Sequence, residues 1–345
     1  MSETMLKTIR TEEAVGHILA HDITEIRPGE FKGRAFKKGH RICDDDLCHL
    51  QRLGKRHIFV IDQPDDYLHE DNAVMVMAEA FCGDGVGWNG EPVEGKLKLC
   101  ALEDGLLAVQ IDALTRINLL GEVMCATRHH GTVVHKGDII AATRAIPLLI
   151  RKEIVEQAVD IAGDCSGLLA IKPLRKARVG ILITGSEIAE GLIPDRFEGI
   201  LRSKLTDLGA RVLRVEIVTD DTAVIRKRLL SFIEDELDLI LTTGGMSVDP
   251  DDVTRAAVQQ AGGRRLLYGA PILPGAMFML AYIGDVPVLG VPACGIYHKT
   301  TVLDLILPRI LAGETVDRTE LAVMGHGGLC LDCPECRFPV CPFGK

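Results

Sequence analysis

The stretch LDLILTTGGMSVDPDDVT, Leu237 to Thr254, decides the fold. Its first half is a short apolar run in which Leu239, Ile240 and Leu241 are consecutive, the composition of a strand buried on both faces. Two earlier runs share that texture, RVGILIT at 178–184 and RVLRVEIV at 211–218, and helix-length segments separate the three. Apolar strands alternating with helices predict parallel strands covered on both sides. Residues 177–313 are therefore expected to form a three-layer α/β domain with a parallel-rich sheet.

Ligands of open α/β sheets bind where loops leave the carboxyl ends of the strands. Two loops occupy such positions here: Thr184-Gly185-Ser186-Glu187, and Thr242 to Asp252. Gly244 and Gly245 would let backbone N–H groups approach an anion, and a helix starting near Asp251 to Val253 would aim its positive end at the same place. The plainer alternative is a tight turn followed by a helix that Asp251 or Asp252 caps. Three aspartates within this loop would repel a phosphate unless a divalent cation stands between them.

The remaining chain reads as smaller pieces. Residues 1–68 form a mixed segment: a helix over Thr11 to Leu19, a strand pair in KGRAFKKGHRI, a helix in DDDLCHLQR capped by Asp44 or Asp45 and closed by Gly54, and a strand at HIFVI. Residues 69–165 read as a small β-rich domain, with a helix through HEDNAVMVMAEAF, short alternating runs between Gly83 and Pro147, and a helix from Lys152 to Ile161. His129 and His130 would point to opposite faces of a strand, so they are expected to be surface residues rather than shared metal ligands.

At 345 residues the chain exceeds one ordinary core, and 47% hydrophobic with 26% charged residues is a globular composition. The formal net charge of -10, with 49 acidic against 39 basic residues, disfavours nucleic acid and anionic membranes as partners. The opening residues lack an apolar signal-like stretch, and the most apolar run, IIAATRAIPLLI, is broken by Arg144 and Pro147, so a cytoplasmic location is expected. Seven of the eleven cysteines, from Cys43 to Cys294, then read as reduced thiols.

Five segments carry a family resemblance: ITGSEI (183–188), IVTDD (217–221), TTGGMSVDPDDVT (242–254), LPGAMF (273–278) and GVPACG (290–295). In order and spacing they resemble the molybdopterin-binding domain shared by the gephyrin-type molybdenum insertases and the molybdopterin adenylyltransferases. Residues 1–160 more loosely resemble the amino-terminal part of the insertases. The resemblance implies that Asp252 and Asp220 or Asp221 are the catalytic carboxylates, holding magnesium. It implies that Thr184, Gly185, Ser186, Glu187, Thr243, Gly244, Gly245, Ser247, Asp249, Pro274, Gly275 and Pro292 bind the cofactor. It departs at two places: Ala276 stands where insertases carry a lysine, and Ala293-Cys294-Gly295 replaces glycine, asparagine and proline. Cys294 is either a reactive thiol beside the ligand or an inert buried one.

In place of the insertases' last β domain stands CLDCPECRFPVCPFGK, within a cysteine-rich segment at 326–345. Cys330, Cys333, Cys336 and Cys341 resemble a ferredoxin cysteine run with one extra residue before the last. In a reducing compartment such a cluster points to metal rather than to a disulfide or an incidental tail, and its even spacing favours iron–sulfur over zinc. The expected function is molybdopterin binding in molybdenum or tungsten cofactor synthesis, in the manner of a molybdopterin molybdenumtransferase. The alternatives are adenylyl transfer to molybdopterin, or a non-catalytic carrier or sensor of metal or redox state. The implied partners are molybdopterin, molybdate or tungstate, a second copy in a homodimer, and a molybdoenzyme or another cofactor-synthesis protein.

Overall fold

The structure, a computed structural model, describes residues 6–27, 31–61, 66–246 and 252–345. Its contacts divide the chain into two units: Met1–Glu103 with Leu107–His130 and Val134–Ile171, and Asp104–Leu106 with Gly131–Val133 and Lys172–Lys345.

The first unit holds two hydrophobic cores. One gathers Leu19, Ile23, Ile42, Leu50, Ile58 and Val60. Around it lie the antiparallel pairs Leu6–Arg10 with His57–Ile61 and Ile23–Arg27 with Phe31–Phe36, and the helix Asp44–Arg52. Three expectations change here. The helix over Thr11 to Leu19 shrinks to a single 3-10 turn, Thr11–Glu13, because Gly16 takes a left-handed φ of +85° and Leu19 turns back to donate to the His40 carbonyl. The strand before KKGH pairs upstream with Ile23–Arg27 and not with its own continuation. Cys43, rather than Asp44 or Asp45, is the cap of Asp44–Arg52. The second core centres on the helices Glu70–Phe81 and Lys152–Gly163, packed on the sheet built from Val86–Trp88, Lys96–Ala101, Ile139–Ala145 and Val123–Thr127. A helix at Ile111–Asn118 interrupts what read as continuous short strands.

The second unit is the α/β domain. Its six strands run in the order Arg211–Val218, Arg178–Thr184, Leu239–Thr243, Val286–Val291, Met279–Ile283, Gly263–Tyr268. The first four are parallel, and only Met279–Ile283 runs against the rest, pairing antiparallel with both its neighbours, so the sheet is parallel-rich as expected. Alternation along the central strands fills two cores. Val179, Ile181, Ile183, Leu239 and Leu241 pack with Leu201 and Leu205 of the helix Phe197–Asp207 and with the helix Val302–Leu311. On the other face Leu182 and Ile240 meet Ile225, Leu229 and Phe232 of Thr222–Glu234, and Ala257 and Val258 of Thr254–Gln260. These are three layers, helix on sheet on helix. Gly180 is glycine because a β-carbon there would stand 2.5 Å from the Phe232 ring.

Among the described residues no helix is long and apolar enough to cross a membrane. All eleven cysteines are free thiols.

Candidate functional site

The chain leaves the Arg178–Thr184 strand for Arg211–Val218 on one side, then returns to Leu239–Thr243 on the other. Strand order therefore reverses between Thr184 and Thr243, the crevice position where open α/β sheets bind ligands. The two loops singled out in the sequence leave the sheet at this point. The Thr184 hydroxyl donates to the Thr243 carbonyl at 2.9 Å and ties the two strand ends together.

Gly244 and Gly245 follow, both left-handed at φ +80° and +56°. A β-carbon on Gly244 would lie 2.2 Å from the Thr184 carbonyl oxygen, and one on Gly245 would lie 2.4 Å from the Thr254 hydroxyl. Thr254 locks the pair from below: its hydroxyl donates to the Gly244 carbonyl at 3.1 Å and its N–H to the Gly245 carbonyl at 3.1 Å. Among the described residues the N–H groups of Gly244 and Gly245 donate to nothing. The Thr243 hydroxyl is fully buried and lacks a hydrogen-bond partner among the described residues. Two backbone donors thus follow directly on two buried hydroxyls, those of Thr242 and Thr243, that are unpartnered among the described residues, and an oxygen-rich group could satisfy the free N–H groups at the strand end.

The acidic candidates separate. Asp221 caps Thr222–Glu234, accepting from the N–H groups of Ala223 at 2.8 Å and Val224 at 2.9 Å. Asp220 accepts from the Ser186 N–H at 2.7 Å, and its own N–H donates to the Ser186 hydroxyl at 3.2 Å, which fixes the Gly185-Ser186 loop against the IVTDD loop. Glu187 is exposed. Asp252 is half-buried just before the helix Thr254–Gln260, whose cap is Val253 with no side-chain cap bond. The expected cap role for Asp252 is therefore not met. Ser247 and Asp249, with Asp251, lie outside the described residues.

Pro274 and Gly275 form a turn against the start of Val302–Leu311, with the Val302 N–H donating to the Pro274 carbonyl at 3.2 Å. A β-carbon on Gly275, φ +129°, would meet Val302 at 2.5 Å. Pro292 is buried and opens the short turn Ala293–Ile296. Cys294 is half-buried, and burial raises its thiol pKa, so the reactive-thiolate reading is not favoured. Two residues passed over in the sequence also border the glycine loop. The Arg255 guanidinium stacks 4.0 Å from the Tyr268 ring centroid, and the Tyr268 hydroxyl donates to the Met246 carbonyl. The only sequence signal for them was an arginine placed directly after the PDDVT run.

No three of the four tail sulfurs lie within 4.8 Å of one another. The tail also does not stand apart from the α/β domain. Leu273 donates to the Gly328 carbonyl and accepts from the Cys330 N–H, each at 2.8 Å, beside the Pro274 turn. Phe343 is only 3% exposed within the core that contains Val302 and Leu303. The Cys336 thiol lies 3.2 Å from the Thr300 hydroxyl, and this bond, the Phe338 N–H and Lys299 together hold its pKa below the usual range.

In the first unit, His69, Glu70 and Asp71 bring their ligand atoms within 4.8 Å, a grouping visible in the sequence only as consecutive letters. The His69 Nδ1 accepts from the Asp71 N–H at 3.1 Å, so its Nε2 carries the proton and donates to the Ala20 carbonyl at 2.8 Å. Both ring nitrogens are engaged, which removes the imidazole as a ligand. Burial, reinforced by Asp71, pushes the Glu70 carboxyl up to about 7.

Residues 180–312 match the family model described as "Probable molybdopterin binding domain". At this domain the resemblance carried by the five segments holds. Residues 8–62 match a model described as a domain of unknown function. A CinA-like protein of Fervidobacterium nodosum is 33% identical over 125 residues, 36% of this chain and 30% of the relative. Another, from Mycobacterium marinum, is 34% identical over 96 residues, 28% of this chain and 23% of the relative. The chain thus spans less than a third of the length of these curated relatives. Among solved structures, the molybdopterin biosynthesis enzyme MoaB from Thermus thermophilus is similar at 24% identity, covering 40% of this chain and 98% of that one, with a TM-score of 0.35. The protein CinA from Thermoplasma acidophilum is similar at 18% identity, covering 35% of this chain and 90% of that one, with a TM-score of 0.32.

Proposed function

We propose that the α/β domain binds molybdopterin and that the protein serves molybdenum or tungsten cofactor synthesis in an insertase-like role. The observation that carries this reading is the pair of N–H groups at Gly244 and Gly245 that are unused among the described residues, next to the orphaned Thr243 hydroxyl, inside the matched domain. A terminal phosphate offers the acceptor oxygens that those groups lack. In this reading Asp252 holds a magnesium ion that bridges the loop to the anionic ligand. Asp220 sets the Gly185-Ser186 loop, and Asp221 serves the fold alone. Homodimerisation and hand-over of the product to a molybdoenzyme rest on the family resemblance.

Adenylyl transfer to molybdopterin is the second reading. Thr254 favours it, because the threonine of the adenylyltransferase-like PDDVT run is the residue that locks the glycine pair. Loss of the lysine at Ala276 favours the third, non-catalytic carriage. Incubating the protein with molybdopterin, ATP, magnesium and molybdate, then identifying bound and released species by mass spectrometry, separates these. Metallated cofactor means insertion, adenylylated pterin means transfer, and unchanged bound pterin means carriage. Absence of any bound pterin removes the reading altogether.

For the tail we propose a thiolate metal centre, iron–sulfur or zinc, on Cys330, Cys333, Cys336 and Cys341. The support is their close and nearly even spacing, which suits a cluster or zinc site better than it suits disulfides.

A further inference from the structure

Among the described residues Arg255 is a cation without a counter-charge. Among the described residues no carboxylate pairs with it, and its Nε is buried without a hydrogen-bond partner. A guanidinium is protonated at any physiological pH and carries five N–H donors, so leaving one buried and unused is unfavourable unless another group completes it. The surroundings indicate which side that group would come from. The Tyr268 ring covers the guanidinium at 4.0 Å. A planar cation packed on a ring face directs its N–H groups outward from its edge.

Tyr268 itself spans the two loops of interest. Its hydroxyl donates to the Met246 carbonyl, the residue after the glycine pair, and lies 3.2 Å from the Met277 sulfur, the residue after Ala276. Tyr268 also ends the edge strand Gly263–Tyr268, which runs alongside the parallel strands toward the same carboxyl end of the sheet. The arginine therefore packs on the ring that joins the glycine loop to the turn in which Ala276 stands at the lysine position. It is also next to Thr254, which locks the glycine pair.

Resting on the molybdopterin reading above, we infer that Arg255 is the cationic anchor for the ligand's phosphate, supplying the charge that Ala276 does not. Tyr268 is its positioning residue. Asp252, three residues earlier, serves the cation while Arg255 serves the anion, so the two make separable contributions.

The test is calorimetric titration of the full chain with molybdopterin and with its dephosphorylated form, comparing wild type, Arg255→Gln, Arg255→Lys and Asp252→Asn, each with a thermal melt to establish folding. Arg255→Gln should weaken molybdopterin at least about tenfold, as loss of a charge-assisted contact does. It should leave the dephosphorylated form bound as in wild type. Arg255→Lys should recover part of the loss, because the charge remains while the planar fork does not. If folded Arg255→Gln binds molybdopterin within about twofold of wild type while Asp252→Asn still weakens it, the arginine is only a stacking residue and the inference falls, with the parent reading intact. An equal loss toward the dephosphorylated form also overturns it. If wild type binds neither form, the molybdopterin reading fails first.

Discussion

A β-carbon on Gly244 would stand 2.2 Å from the carbonyl oxygen of Thr184, so the central strands can end side by side only if this residue is glycine. Gly244→Ala must therefore move backbone as well as adopt a left-handed φ, which alone costs about 1–2 kcal/mol. Gly262 is the control. Its φ is +92°, yet nothing lies within 4 Å of its added β-carbon. Gly262→Ala should lose only the conformational part in urea unfolding, and Gly244→Ala clearly more. Equal losses would mean that the strand ends yield easily and that the crevice is soft.

Asp221 and Asp220 stand next to each other in the sequence but do different things. Asp221→Ala removes the cap of Thr222–Glu234 and should cost about 1 kcal/mol of stability. Molybdopterin affinity should stay unchanged, since the carboxylate is committed to the helix. A drop in affinity at full folding would restore Asp221 to the site.

The sheet was legible because burial on both faces leaves an unmistakable record: Ile181, Leu182 and Ile183 are successive and all apolar, although they point alternately into two different cores. The glycine loop was legible for a related reason, since position in the topology selects it. The capping of Asp221 was not, because capping and metal binding draw on the same carboxylate and only geometry tells them apart. The Thr11 to Leu19 helix failed because a helical pattern of apolar residues also fits a segment that turns at Gly16 and pairs with His40 and Ile42. Arg255 escaped because nothing in its neighbours announces that Tyr268, thirteen residues on, lies beneath it. The docking of the tail depends on Phe343 reaching a core made elsewhere in the chain, and no local spacing encodes that.

Glu70 should make the first unit less stable as pH rises. Its carboxyl is raised from 4.5 to about 7 by burial and by Asp71, against the partial relief of Arg144 and Lys38. Between those values the folded chain keeps a proton that the unfolded chain has released. Stability therefore falls between about pH 4.5 and 7, by at most about 1.4 kcal/mol per pH unit, and is flat above that range. Glu70→Gln should remove the slope and raise the melting temperature at pH 8 by at least about 2 °C. A melting profile with the same slope in both proteins would assign it to another group.

The tail offers two kinds of change that should separate metal from packing. Phe343 is buried in the core of the α/β domain, so Phe343→Ala should cost about 3–5 kcal/mol whether or not metal is bound. Cys333 is exposed and Cys336 half-buried, so replacing both with serine removes two proposed ligands with little loss of packing. Anaerobically purified wild type should carry either a visible charge-transfer chromophore with iron and sulfide, or one colourless zinc. The double serine variant should carry neither. In the wild type, thiolate ligation should make metal binding strongly pH dependent. Because Leu273 pairs with the tail immediately before Pro274, a metal held by the tail would brace the turn that follows. The metal-loaded protein should therefore melt at a higher temperature than the chelator-treated one, a difference that the double variant lacks. Stoichiometric metal in the double variant would place the centre elsewhere in the chain.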